Sequence, residues 1–104
     1  MANPNIAAVA AIYGNTSTTS LSSTNATSIV SNAASSGKVY KINSLVVANI
    51  DGTNAADITI NVYSAAALGG TGTAIASTIS VPADATLIII DKTTQIYLLE
   101  DKSI

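Results

Sequence analysis

Apolar and polar residues alternate along much of this chain. In Asp57-Ile58-Thr59-Ile60-Asn61-Val62-Tyr63-Ser64, Ile58, Ile60 and Val62 fall on one side and Thr59, Asn61 and Tyr63 on the other. From Ile75 to Val81 the same period sets Ile75, Ile79 and Val81 on a face with Ser77. A period of two is that of a pleated strand, whose side chains point alternately to its two faces. The Ile, Val and Thr that fill these positions are stiff at χ1 and favour the sheet. Between Val39 and Ile50 the pattern predicts a longer strand whose phase breaks near Asn43–Ser44, where a bulge fits.

Turn residues punctuate the runs. Gly14-Asn15 ends an apolar stretch, and Asp51-Gly52-Thr53-Asn54 is expected to close a hairpin between Ile50 and Ile58. Gly69-Gly70-Thr71-Gly72 is expected to divide Tyr63 from Ile75, Pro82-Ala83-Asp84 to break the chain before Leu87, and Asp91-Lys92-Thr93-Thr94 to turn it before Ile96. Short strands with this spacing predict one all-β domain over residues 1–104. Its expected form is an antiparallel β-sandwich, Ig-like or jelly-roll-like, of about seven to nine short strands.

Residues 14–36 stand apart. Sixteen of these 23 residues are Ser, Thr or Asn, and none is charged. Thr favours strands, so a weakly structured edge segment is expected, with edge strands near Thr16–Leu21 and Asn25–Val30. A flexible arm and a helix over Ala26–Ala34 are the competing readings.

The last residues pose a physical problem. Leu87-Ile88-Ile89-Ile90 and Ile96-Tyr97-Leu98-Leu99 are expected to form a hairpin, yet the second run is apolar on both faces. Ile96 and Leu98 face one way, Tyr97 and Leu99 the other. A strand of that kind is covered on both sides or templates aggregation. Lys92, Glu100, Asp101 and Lys102 flank it as gatekeepers. Ile96, Tyr97, Leu98, Leu99 and Ile104 are therefore candidates for a subunit interface. The competing reading places Leu87–Leu99 at the centre of the chain's own sandwich.

Composition narrows the chemistry. Of the 104 residues only 10 % are charged, and His, Cys, Trp, Phe and Arg are absent; soluble domains average about 25 % charged. Without His or Cys there is no Ser-His-Asp or Cys-His catalysis and no thiolate or imidazole metal site. A net charge of −2 with four scattered Lys argues against a nucleic-acid partner. No apolar run approaches the ~18 residues of a membrane helix. The apolar stretch Ile6–Ile12 has no basic residue before it, as a secretory leader would. The Asn15-Thr16-Ser17 and Asn25-Ala26-Thr27 sequons then read as incidental in so polar a segment.

The remaining candidates have plain readings. Asp51, Asn54 and Asp57 offer oxygen ligands without the EF-hand spacing, so a hairpin turn accounts for them better than calcium. Gly69–Ala74 lacks the Lys-Ser/Thr and the helix of a phosphate loop. Asp84, Asp91, Glu100 and Asp101 fit solvated turns better than a glycosidase pair. Tyr13, Tyr40, Tyr63 and Tyr97 fit core edges or an interface. No cofactor, metal or enzymatic activity is expected.

The segments Ile12–Ser17, Ser31–Ser64 and Ile79–Ile104, with the Ser/Thr-rich stretch between the first two, resemble small virion structural proteins of tailed bacteriophages, especially marine ones. The best marker is Lys41-Ile42-Asn43-Ser44 followed by Asn49-Ile50-Asp51-Gly52. These are strand and turn residues rather than a catalytic signature. The resemblance covers nearly the whole chain. It implies a non-enzymatic β-sandwich made in the host cytoplasm and built into the virion. The expected role is capsid decoration or cement, with the major capsid protein and copies of itself as partners, in a homo-oligomer such as a trimer. The rival readings are a neck, tail or fibre component and a carbohydrate-binding host-attachment module. Such relatives commonly continue past a segment like Glu100–Ile104, so a terminal strand is expected to be missing here or supplied by a neighbour.

Overall fold

The computed structural model describes residues 7–104. Ile6, at the start of the apolar N-terminal run, lies outside the described residues. Eight strands follow: β1 (Ser31–Asn32), β2 (Tyr40–Ile42), β3 (Leu45–Ala48), β4 (Ala56–Ala65), β5 (Gly69–Val81), β6 (Thr86–Ile90), β7 (Ile96–Leu98) and β8 (Lys102–Ser103). Every pairing is antiparallel, and no helix occurs among the described residues. The chain is all-β, as the alternation predicts. One sheet has the order β1-β8-β4-β5; β2 pairs with β7, and β3 with β6.

The two short pairings form one ribbon. Tyr40 to Ile42 run against Leu98 to Ile96, and Leu45 to Ala48 against Ile90 to Thr86. The expected irregularity at Asn43–Ser44 is present as the break between β2 and β3. Opposite that break the chain loops out through Asp91–Gln95. The two C-terminal apolar runs are therefore not a hairpin. They lie end to end along the same partner segment, because Asp91-Lys92-Thr93-Thr94 makes a local turn without reversing the pairing.

Three further expectations are corrected. Asp51-Gly52-Thr53-Asn54 forms a turn but closes no hairpin, since β3 pairs with β6 rather than β4. The turn between β4 and β5 is Ala66-Ala67-Leu68, and Gly69–Gly72 lies inside β5. Ile75 does not share a face with Ile79 and Val81. β5 has 13 residues against ten in β4, and the three extra residues are absorbed at three register shifts. At one of them Thr78 takes φ 50 while its N–H donates to Thr59 Oγ1 at 3.0 Å. Each shift reverses the side on which the following residues point. Ala76 and Val81 are buried in consequence and Ile75 is exposed.

The expected edge strands at Thr16–Leu21 and Asn25–Val30 are absent. Residues 7–28 are exposed and carry no strand. Their few apolar side chains bury too little to offset the ~1–2 kcal/mol of backbone entropy that each ordered residue costs. Ladder hydrogen bonds begin where Ile29 N–H donates to Ile104 O at 2.9 Å and Ile104 N–H donates to Val30 O at 2.9 Å.

The core is small: Ala76, Val81, Ile90, Leu98 and Ile104 are its buried apolar residues. Polar side chains hold its ends. Asn32 is fully buried. Its Nδ2 donates to the carbonyls of Lys38 (2.8 Å) and Leu98 (3.1 Å), and its Oδ1 accepts from Ser36 Oγ. Asn49 Nδ2 donates to Val81 O (3.0 Å) and Asn54 O (2.9 Å), tying the end of β3 to the end of β5.

Candidate interaction surface

The five residues expected at an interface separate into two groups. Leu98 is 1 % exposed and Ile104 is also buried, so both belong to the chain's own interior. Ile96 is half-buried beside Ile42. Tyr97 remains 50 % exposed, opposite Lys41, and Leu99 is exposed as well.

The surface to which Tyr97 belongs continues along the ribbon. Val46 and Ile88 are direct cross-strand partners, and they are 49 % and 61 % exposed. Antiparallel partners have Cβ atoms ~5 Å apart, so this pair makes a continuous apolar patch on the solvent side. Ile50 is exposed just beyond β3. Val46 and Ile88 are absent from the sequence-based candidates. Their signal was the lack of alternation in Leu87–Ile90, a run that implies cover on both faces.

The last residues are latched to the four-stranded sheet. Three successive backbone N–H groups of the β4–β5 turn each donate to a side-chain oxygen: Ala66 to Asp101 Oδ1 (3.0 Å), Ala67 to Ser31 Oγ (2.9 Å) and Leu68 to Ser103 Oγ (2.9 Å). Ser103 Oγ also donates to Ala65 O at 2.8 Å, and Lys102 Nζ to Ser64 O at 3.0 Å. These acceptors support the positive φ of Ala67 and Leu68, a conformation that ordinary residues resist.

Four of the six acidic side chains, Asp51, Asp91, Glu100 and Asp101, accept from backbone N–H groups. Asp51 Oδ1 accepts from the N–H groups of Thr53 (2.8 Å) and Asn54 (3.2 Å). Asp91 Oδ1 accepts from Thr93 N–H (2.8 Å) and Thr93 Oγ1 (2.6 Å). Both carboxyls are held below the usual Asp value. For Asp51 the Thr53 N–H is the main cause, followed by the Asn54 side chain; for Asp91 it is the Thr93 side chain and then the Thr93 N–H. Glu100 Oε2 accepts from Gly37 N–H at 3.4 Å. Among the described residues no three acidic side chains come close enough to share a metal ion. Gly69–Ala74 is strand, with Thr71 N–H donating to Ser64 Oγ at 2.8 Å. Of the tyrosines, Tyr13 and Tyr97 are exposed, while Tyr40 and Tyr63 are half-buried.

Compared with protein-family models, with characterised proteins and with solved structures, the chain has no match.

Proposed function

We propose that this protein is a non-enzymatic structural component of a tailed-phage particle, with capsid decoration as the first reading. The observation that carries the assembly role is the uncovered apolar face of the ribbon, Val46 against Ile88 with Tyr97 beyond, in a chain only 10 % charged. Monomers keep apolar patches small and surfaces charged. The phage setting comes from the sequence resemblance. Many copies, each contributing a modest apolar contact, would raise the barrier to opening a shell by multivalent burial.

Quantitative mass spectrometry of purified particles from a host carrying the gene tests this. A copy number that tracks the shell subunits supports decoration. A few copies per particle move the protein to the neck, tail or fibres. Absence from the particles removes the virion reading. Glycan-array binding lost on Tyr97→Ala would instead favour host attachment.

A further inference from the structure

We propose that the exposed face of β3 and β6 is covered by the same face of a second copy. The two copies are related by a two-fold axis that lies between the faces and crosses the strands, so β3 lies over β3 and β6 over β6, each pair running in opposite directions. This rests on the reading of that face as an assembly surface; the order and charge of its residues name the partner.

The middle of the face is the Val46–Ile88 cross-strand pair, 49 % and 61 % exposed. Residues 42–50 and 85–90 around it hold no charge. The charges that bound the face are spaced evenly about this pair. Lys41 stands five residues before Val46 and Asp51 five after it; Asp84 stands four before Ile88 and Lys92 four after it. All four are exposed. Because β3 and β6 are antiparallel, Lys41 and Lys92 fall toward one end and Asp51 and Asp84 toward the other. At the acidic end Asp84 N–H donates to Asp51 O at 3.1 Å. At ~3.3 Å per residue, each end is ~13–17 Å from the central pair.

A surface with a positive end, an apolar centre and a negative end is complementary to itself when turned end for end. The axis across the strands puts Lys41 of each copy over Asp51 of the other, and Lys92 over Asp84. Val46 then meets Val46, and Ile88 meets Ile88. The same rotation brings Ile50, 90 % exposed beyond β3, toward the end where the other copy carries Tyr97. An axis along the strands would instead set Lys41 over Lys92 and Asp51 over Asp84. Like charges would face each other, so charge selects between the two packings. Asp91 also lies at the lysine end, where its Oδ1 accepts from Thr93 N–H and Oγ1. Asp51 Oδ1 is likewise engaged by Thr53 and Asn54. The attraction is therefore between whole ends, two Lys and one Asp against two Asp, rather than within fixed ion pairs. A partner of another kind would need this gradient in reverse; a second copy already has it.

Two measurements on the full-length chain decide the matter. In size-exclusion chromatography with light scattering, the wild type is expected at twice 10.4 kDa. Ile88→Asp is expected at the monomer mass with an unchanged far-UV spectrum, since the side chain is exposed. The second uses single cysteines, which report geometry cleanly because the chain has none of its own. Under mild oxidation Ile88→Cys is expected to link to itself. Lys92→Cys alone is expected to stay unlinked, and to link when mixed with Asp84→Cys. A wild type at any mass other than the dimer, an Ile88→Asp variant that stays dimeric, an Ile88→Cys variant that does not link, self-linked Lys92→Cys, or a mixture that stays unlinked would each overturn the proposal. None of these outcomes bears on whether the protein is found in phage particles, which the copy-number measurement decides separately.

Discussion

Asn32 Nδ2 donates to the carbonyl oxygen of Leu98 at 3.1 Å, joining residues 66 positions apart. Asn32 belongs to the four-stranded sheet and Leu98 to the β2–β7 pair, so this bond joins two separately paired parts of the chain. The side chain also holds Lys38 O and Ser36 Oγ. Asn32→Ala would leave buried carbonyls without donors, at about 1–3 kcal/mol for a buried group left unpaired. Urea unfolding of the variant should show that loss, while Asn32→Asp should fail to rescue it, because a carboxylate cannot donate. An unchanged midpoint would mean that this bond does not hold the β2–β7 pair to the four-stranded sheet.

Adjacent residues of β7 should behave oppositely. Leu98→Ala removes a fully buried side chain and should destabilise by about 2–5 kcal/mol. Tyr97→Ala, on the open face, should stay within about 0.5 kcal/mol. Thermal melts of the two variants separate interior from surface. Equal effects would mean that Tyr97 is covered in solution, as a subunit contact requires.

Acid should weaken the two Asp-centred turns. Asp51 and Asp91 have folded-state pKa values below their ordinary one, chiefly through the Thr53 N–H and the Thr93 side chain respectively. Their contribution is complete above the unfolded value, about pH 4, and is lost as pH falls through the lower folded value. Melting temperature followed downward from pH 6 should drop below about pH 4. Asp51→Asn/Asp91→Asn should flatten that limb. A wild-type curve that matches the double variant would show that the turns do not depend on ionised carboxylates.

Gly72 inverts an ordinary preference. Gly inside a strand is usually improved by Ala, but a Cβ here would meet Tyr63 Cε1 at 2.9 Å. Tyr63 and Gly72 are direct cross-strand partners, so the ring lies over the glycine. Gly72→Ala should therefore destabilise, by about 1 kcal/mol. In a Tyr63→Ala background the same change should turn neutral or stabilising, which a double-mutant cycle would read directly.

The fold was legible along β4. Ile58, Ile60 and Val62 keep their alternation because the extra residues at the register shifts lie in β5 and leave β4 itself in phase. Ile75 was misplaced because the bulge at Thr78 has no glycine to mark it; a contact with Thr59 Oγ1 supports the conformation instead. The β4–β5 turn was equally hidden. Ala66-Ala67-Leu68 contains no turn residue, and oxygens from Ser31, Asp101 and Ser103 stabilise it from a distance in sequence. Asp91–Thr94 carried true turn chemistry, but the same residues serve a hairpin or a looped-out segment, and only the partner strand decides between them. For the surface, the double-faced apolar run could not tell that Leu98 turns inward while Tyr97 stays outside.

The bulged outer edge of β5 bears on what happens at high concentration. Strand-to-strand growth without limit requires an open edge at both ends of each unit. Here three register shifts twist one edge out of plane, and a twisted edge is a poor template for a further strand. Contacts between copies then fall away from the β5 side to the other edges and faces, where closed assemblies of fixed size can form. On that side a chain this poor in charge has a geometric safeguard against fibres, in place of the electrostatic one that most soluble proteins use.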